Sequence, residues 1–484
     1  MPQLHWFRSD LRIRDNSALH AAAASGDGPV VGFYVISPGD WARHHTAAVR
    51  VDFTLRTLAV LSADLARLNI PLLIRAAARP GEVAKTVVDT ARQIKAGHIH
   101  FNSEYELHEA KRDGDVAELA ARHGIGVHAQ HDQCILEPGS VLTAGGTGGP
   151  FTVFTPFKKR WFAVLAERTP DLRSAREVAA PKKQAPTAIA SDVVPDSVAG
   201  FVSTVPASLW PAGEAPAAAR LEAFVAGAIH KYKDQRNQPA IEGTSALSPY
   251  LAAGVISPRT CLFAAAAANG GKLEGGSVGA ATWISELVWR EFYKHIVVAF
   301  PRVVMGRAFK PATDNIKWHY DEAKFNAWRE GRTGFPIVDA AMRQLLATGW
   351  MHNRLRMIVA MFLTKDLFFD WRLGERHFMS HLIDGDLAAN NGGWQWSAST
   401  GTDAAPYFRI FNPITQSRNC DPEGEFIRRY VPELRSIEGD AVHDPNDDLP
   451  PLARARLDYP SKIADRAKVK ETVLSAFKGI ASTD

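Results

Sequence analysis

The first 130 residues alternate short runs of β-branched and aromatic residues with longer stretches of helical periodicity, and from about residue 218 the strand-like runs stop. The runs fall at 4–7, 30–36, 72–75, 99–102 and 126–129, with helical patterns such as 49–68 and 82–95 between them. A β-α-β rhythm of this kind forces a parallel sheet, because each strand can join the next only through a crossover that lies on a face of the sheet. The expected fold is therefore an α/β N-terminal domain with a doubly wound parallel sheet, followed by an all-α C-terminal domain. No G-x-G-x-x-G follows the first run, so a dinucleotide-binding domain of the usual kind is not supported.

Composition places the boundaries. The segments TAGGTGGP and PKKQAPTAIASDVVPDSVAG are rich in turn residues, Pro, Ala and Ser. They divide the chain into an α/β domain over 1–135, a connector carrying short helices over 136–217, and a helical domain over 218–484. With 484 residues and 46% apolar content the chain can form two or three cores. No apolar run of about 18 residues is present, so no membrane span is expected. The start, MPQLHWFRSDLRIRD, reads as a first strand rather than a signal peptide, which makes the expected location cytoplasmic. The three cysteines, Cys134, Cys261 and Cys420, stand far apart and make neither a CxxC pair nor a disulfide framework. A net charge of +4 permits nucleic-acid binding through a local patch without demanding it.

Four segments carry chemistry. In IEGTSALSPYL (241–251), Ser248 reads as a helix N-cap with Pro249 after it. The hydroxyls of Thr244 and Ser245 lie just before. Open amides and hydroxyls at a helix start suit a phosphate, and plain capping is the competing reading. In WISELVWREFYKH (283–295), Trp283, Glu286 and Arg290 fall at i, i+3, i+7, so one helical stripe carries an aromatic ring, a carboxylate and a guanidinium. In GWMHNRLRM (349–357), Asn353, Arg356 and Met357 share a face while Arg354 points elsewhere. The segment LIDGDLAANNGGWQWSASTGTDAAPYFRIFNP (382–413) is dense in amides and glycine. It suits the lining of a flat, hydrogen-bonding ligand better than a core helix. Paired Asp384 and Asp386, or the i, i+4 histidines His377 and His381, offer no third metal ligand at a familiar spacing, and no metal site is expected.

Taken together and in this order, these segments resemble the DNA photolyase/cryptochrome family, and most of all the class I cyclobutane dimer photolyases of bacteria. The resemblance starts at HWFRSDLRIRDN (5–16), includes FTPFKKRW (154–161) and is densest over 283–413. It implies an N-terminal antenna domain and a C-terminal helical domain that binds FAD and UV-damaged DNA. Tyr232 and the stretch Thr244, Ser245, Ala246, Leu247, Ser248 would hold the FAD phosphates and ribityl, with Ala246 standing where relatives often have Arg. Trp283, Glu286 and Arg290 would line the cofactor and lesion pocket. Arg356 and Asp384 would flank the isoalloxazine, Asp386 would bond its polar edge and Asn390 would face N5. Trp394, Trp371 and Trp318 match the family's electron wire. The lesion would sit against Glu286, Asn353, Met357, Trp289 and Trp396, and Arg236, Arg354, Arg409 and Gln416 match DNA-contacting positions. The implied reaction is light-driven electron transfer from reduced FAD to a flipped-out dimer, with Glu286, in its protonated form, and Asn353 bonding the thymine carbonyls.

A cryptochrome photoreceptor and a (6-4) photolyase are the alternatives within the family, and a plain α/β nucleotide-binding protein is the alternative outside it. Asn390 opposite N5, the Trp289–Trp396 wall and a chain that ends at Asp484 favour repair. The absence of histidines at Asn353 and Met357 favours cyclobutane dimers; His352 reads as structural. For the antenna, YELHEAKRD (105–113) resembles a folate-binding stretch, with His44 and Glu109 as contacts and methenyltetrahydrofolate as the expected chromophore. His108, Val304 and Met305 depart from the folate pattern and keep a deazaflavin, or none, open. The expected protein is a monomer with no obligate protein partner.

Overall fold

The computed structural model describes residues 1–26, 28–77, 79–143, 148–172, 178–185 and 188–481. Parts of the turn-rich 143–150 segment and of the Pro/Ala-rich connector lie outside them. By its internal contacts the chain forms two units. The first comprises Met1–His230, Ser245–Pro301 and Ile383–Asp386; the second comprises Lys231–Thr244, Arg302–Leu382 and Leu387–Asp484.

The first unit contains a five-stranded sheet: β1 (Gln3–Phe7), β2 (Val30–Ile36), β3 (Leu72–Ala76), β4 (His98–Asn102) and β5 (Gly126–Gln130). Every neighbouring pair is parallel and the order is β3-β2-β1-β4-β5. Each strand begins within one residue of its apolar run, and β2 is buried along its whole length. That is the pattern of a parallel strand covered on both faces, where the usual alternation of apolar and polar residues disappears. The order turns back at β1 and β4, and in such sheets ligands gather at the carboxyl ends of the strands beside the turning point. The edge of β3 is closed by the connector: the Leu72 amide donates to Ser191 Oγ at 3.0 Å, and the Asp192 amide to the Leu72 carbonyl at 2.9 Å.

The connector also holds a long helix, Phe154–Leu172, where short ones were expected. Phe154, Phe157 and Trp161 recur at i, i+3, i+7 and give it a buried aromatic stripe. That stripe packs on helix Val278–Ala299: the rings of Phe157 and Phe292 lie 5.1 Å apart, and Trp161 Nε1 donates to Glu291 at 2.7 Å. Helix Val278–Ala299 starts at Ser277, whose hydroxyl accepts from the Ala280 amide. It approaches the 229–230 backbone so closely that a Cβ on Gly279 would collide with two carbonyls.

The second unit is helical and is built around a large apolar cluster that includes Trp328, Trp371, Trp394, Phe335, Phe362, Phe378 and Phe426, with a smaller one at Phe368, Val473 and Phe477. Its site-bearing helices are Asn353–Met361, Trp371–Met379 and Leu387–Ala398. Capping fixes two of their starts: His352 Nδ1 accepts from the Arg354 amide and Asp370 from the Arg372 amide. No helix among the described residues is long and apolar enough to cross a membrane.

Candidate functional site

In the first unit the 241–251 loop departs from the expected cap. Leu247 takes the cap position of the short helix Ser248–Ala252, so Ser248 is its first residue, and no side chain caps it. The cause is Ala246, whose φ of 46° turns the chain in the left-handed region one residue early. A non-glycine residue there costs roughly 1 kcal/mol or more. The amides of Ala246 and Leu247 donate no hydrogen bond among the described residues, although Leu247 is buried. Successive amides at a left-handed/right-handed junction form a concavity suited to an anion.

Helix Val278–Ala299 brings the rest of the first unit's residues together. Trp283 Nε1 donates to Ser245 Oγ at 3.4 Å, tying the helix to that loop. Trp289 stacks on Phe154 with ring centroids 3.6 Å apart, so one face of its indole is backed by the FTPFKKRW segment. Arg290 donates to the Gln133 carbonyl at 2.6 Å. Burial works to lower the Arg290 pKa, but the acidic groups around it, Asp386, Glu291 and Glu106 among them, hold it above the usual value. Lys294, one turn further on, is fully buried and bridges Glu106 and Asp386, the latter at 2.9 Å. Arg50 donates to the Gly385 carbonyl, so the Asp384–Asp386 turn is held by cations from two helices. Asp384 is itself buried. On the sheet domain, His44 Nδ1 lies 3.6 Å from Glu109 Oε1, and the His44 and His108 rings are 5.2 Å apart. The Glu109 carboxylate raises the His44 pKa; burial pushes the Glu109 carboxyl up, and His44 and Arg112 together more than offset it, leaving that group low.

In the second unit, Arg236 lies over the Tyr232 ring at 5.7 Å. Thr244 is half-buried at the end of that segment. Arg354 Nε and Nη2 both donate to Asn237 Oδ1, at 3.1 and 2.7 Å. Burial lowers the Arg354 pKa, and the charges of Arg236 and Arg409 lower it further, which marks a basic cluster. Arg409 is exposed and Gln416 half-buried. Asn353 opens its helix in an exposed position, and Arg356 Nε donates to the Met351 carbonyl at 2.8 Å. Met357, Trp396 and Trp318 pack half-buried against the unit's core. Buried His352, with its pKa pushed down to about 4 by burial and by Arg356, Arg354 and Arg236, acts as the helix cap. His381 Nδ1 lies 2.8 Å from the His377 carbonyl, and the two rings lie 4.2 Å apart.

Asn390 Nδ2 donates to the Glu375 carbonyl at 2.9 Å, which fixes how its amide is turned. Trp394 lies across the helix that begins at Trp371: a Cβ on Gly374 would fall inside the Trp394 ring. Among the described residues the three wire tryptophans make no ring contact with one another. Trp394 touches Phe378 and Trp328, at 5.0 and 6.1 Å, Trp371 lies under Arg372 at 4.8 Å, and Trp318 sits on Phe368 at 5.0 Å.

Sequence reasoning missed Phe154 as the backing of Trp289, Lys294 as the partner of Asp386, and Glu375 and Gly374 as supports for Asn390 and Trp394. Lys294 extends the 283–286–290 stripe by one turn, the one local signal for it. FAD, the cofactor that the resemblance implies, needs donors for a pyrophosphate and polar groups for a flat ring. The open amides of Ala246 and Leu247, the Ser245 hydroxyl and the Arg290 guanidinium meet the first need, and Asp384 and Asp386 the second, so the residues present fit the group.

Residues 3–179 match the family described as DNA photolyase, and residues 283–479 that described as FAD binding domain of DNA photolyase. The chain is 46% identical to a deoxyribodipyrimidine photo-lyase of Vibrio cholerae, over 98% of its own length and 99% of that protein. It is 44% identical to the one from Escherichia coli, over 98% of each chain. Among solved structures it is similar to a bacterial class III photolyase from Agrobacterium tumefaciens, with 34% identity, a TM-score of 0.83 and coverage of 99% and 98%. It is also similar to a cryptochrome from Synechocystis sp., with 27% identity, a TM-score of 0.85 and coverage of 98% and 99%. With both parts of the chain matched and relatives alike from end to end, this protein belongs to the DNA photolyase family.

Proposed function

We infer that this chain is a light-dependent deoxyribodipyrimidine photo-lyase that restores cyclobutane pyrimidine dimers in DNA. The observation that carries this reading is the 44–46% identity, along 98% of the chain, to proteins of that name. Cryptochromes share the fold, as the Synechocystis structure shows, so fold alone does not separate repair from signalling. Bound FAD supplies, on illumination, the electron that opens the cyclobutane ring.

The chain's own residues bind, orient and shield. Ser245, Ala246, Leu247, Ser248, Arg290, Thr244 and Tyr232 hold the phosphates and ribityl. Trp283, Asp384 and Arg356 flank the isoalloxazine, and Asp386 bonds its polar edge. Asn390, with one amide N–H engaged by the Glu375 carbonyl, would face N5 with its oxygen as acceptor and its second N–H as donor. Trp289, backed by Phe154, offers the flipped dimer an apolar face, where stacking contributes about 1–3 kcal/mol per base, and Trp396 offers another. Met357 is a further lesion contact. Glu286 and Asn353 donate to the thymine carbonyls where negative charge gathers, which requires Glu286 in its protonated form. Arg236, Arg354, Arg409 and Gln416 fix the DNA backbone. Trp394, Trp371 and Trp318 carry electrons in from the surface.

Residues 1–135 act as the antenna domain, 136–217 as the connector and 218–484 as the catalytic domain. His44 and Glu109 take an antenna chromophore of the folate class, methenyltetrahydrofolate. A photolyase structure from Sulfolobus tokodaii is described as containing two FAD molecules, with the implication of a novel light-harvesting cofactor. The protein works as a cytoplasmic monomer. Chemically reduced holoprotein, given a dimer-bearing oligonucleotide under blue light, restores intact thymines well beyond a dark control. No gain over the dark control overturns repair in favour of signalling.

A further inference from the structure

Lys294 is 3% exposed, and its ammonium has two anionic partners that lie far apart in the sequence. Glu106 stands just before helix Leu107–Ala121, and Asp386 ends the turn that includes Asp384. Lys294 and Glu106 are buried and Asp386 is partly buried, so removing one member of the set leaves a poorly compensated charge. Arg50 grips the Gly385 carbonyl while Lys294 grips the next carboxylate, so backbone and side chain of one turn are fixed from two helices. The charged groups acting on Lys294 are Asp386, Glu106 and Arg290; Glu106 in turn feels Glu109 as well. Burial works to lower the Lys294 pKa and the two carboxylates hold it above the usual value, so the cation persists. Without it, Glu106 and Asp386 face each other as like charges in a poorly screened interior.

We propose that Lys294 is a positioning residue for the cofactor, fixing the charge and direction of the Asp386 carboxylate so that it meets the polar edge of FAD. This rests on the reading of Asp386 as a ligand of FAD. Lys294 lies on the same helical stripe as Trp283, Glu286 and Arg290, so one helix both supplies direct contacts and orients a contact borne by another segment.

The test uses purified holoprotein and two readouts: the dissociation constant of FAD, and the band shape of the bound flavin in visible circular dichroism. Lys294→Met weakens FAD binding by roughly tenfold to a hundredfold, the scale of one charge-assisted hydrogen bond, and alters the band shape. Lys294→Arg restores most of both. In Asp386→Asn protein, Lys294→Met adds little to the loss, because the two changes remove one coupled interaction. If Lys294→Met lowers thermal stability but leaves FAD affinity and band shape unchanged while Asp386→Asn changes them, Lys294 is structural only and the proposal is overturned. If Asp386→Asn itself leaves both unchanged, the placement of Asp386 against FAD is what fails. Should Lys294→Met not accumulate as folded protein, Lys294→Gln, which keeps a donor without the charge, is read by the same criteria.

Discussion

Buried charge is handled differently in the two units. In the first, both partners of an ion pair are commonly sunk in the interior. Arg12 with Asp132, Arg259 with Asp15 and Asp132, and Lys294 with Glu106 all show side-chain exposures between 0 and 11%. In the second, the cationic partner stays nearer to water: Arg343, Arg372 and Arg466 keep 21–25% of their side chains exposed. Its interior is given over to rings, and the buried Nε1 of Trp318 and Nε2 of His377 have no hydrogen-bond partner among the described residues. The contrast suits two tasks. Paired interior charges fix the direction of polar groups, as the Asp384–Asp386 turn requires. An interior filled mainly by rings suits the proposed passage of electrons between tryptophans.

The largest effect expected from this contrast is on stability. Asp132→Ala leaves Arg12 and Arg259 without their shared anion and costs about 3–5 kcal/mol, whereas Glu433→Ala, which frees the half-exposed Arg343, costs about 0–1 kcal/mol. Chemical denaturation followed by circular dichroism measures both, and equal losses would erase the distinction between the units. Next comes electron supply. Trp318→Phe cuts photoreduction of oxidised holoprotein by an external thiol to a small fraction of the parental rate, while FAD content and repair by chemically reduced enzyme persist. Flavin absorbance under steady blue light reads the rate; a normal rate would move the surface exit of the wire to another residue. The smallest effect is on DNA. Arg354, already oriented by Asn237, is proposed to neutralise one phosphate. Arg354→Ala therefore lowers the slope of log affinity against log salt by about 1, uniformly across DNA sequences. An unchanged slope with unchanged affinity for damaged DNA would remove Arg354 from the docking surface.

The sheet is legible in the sequence because each parallel strand is a near-continuous apolar run with punctuation on both sides, and such runs depend little on distant context. All five begin within one residue of where the pattern puts them. The stripe Trp283–Glu286–Arg290 is legible for the same reason, since helical spacing alone sets it. Lys294 escapes because its partners sit at 106 and 386 and no local period reveals them. The cap of the 248–252 helix is misplaced because the deciding event is a left-handed alanine, a conformation that turn chemistry assigns to Gly or Asn. The connector reads as a string of turns because Pro and Ser dominate its composition, and its aromatic stripe at Phe154, Phe157 and Trp161 becomes evident only beside helix Val278–Ala299.

Gly374 has a consequence beyond packing. Tunnelling between aromatic donors and acceptors weakens exponentially with the gap between their edges, so in the proposed wire the thickness of the helix surface beneath Trp394 would act directly on electron flow. A methyl group at residue 374 would hold the indole away from the helix that begins at Trp371. The missing side chain therefore works as a spacer of zero thickness, and in the proposed wire the rate would be set partly by an atom that residue 374 does not have.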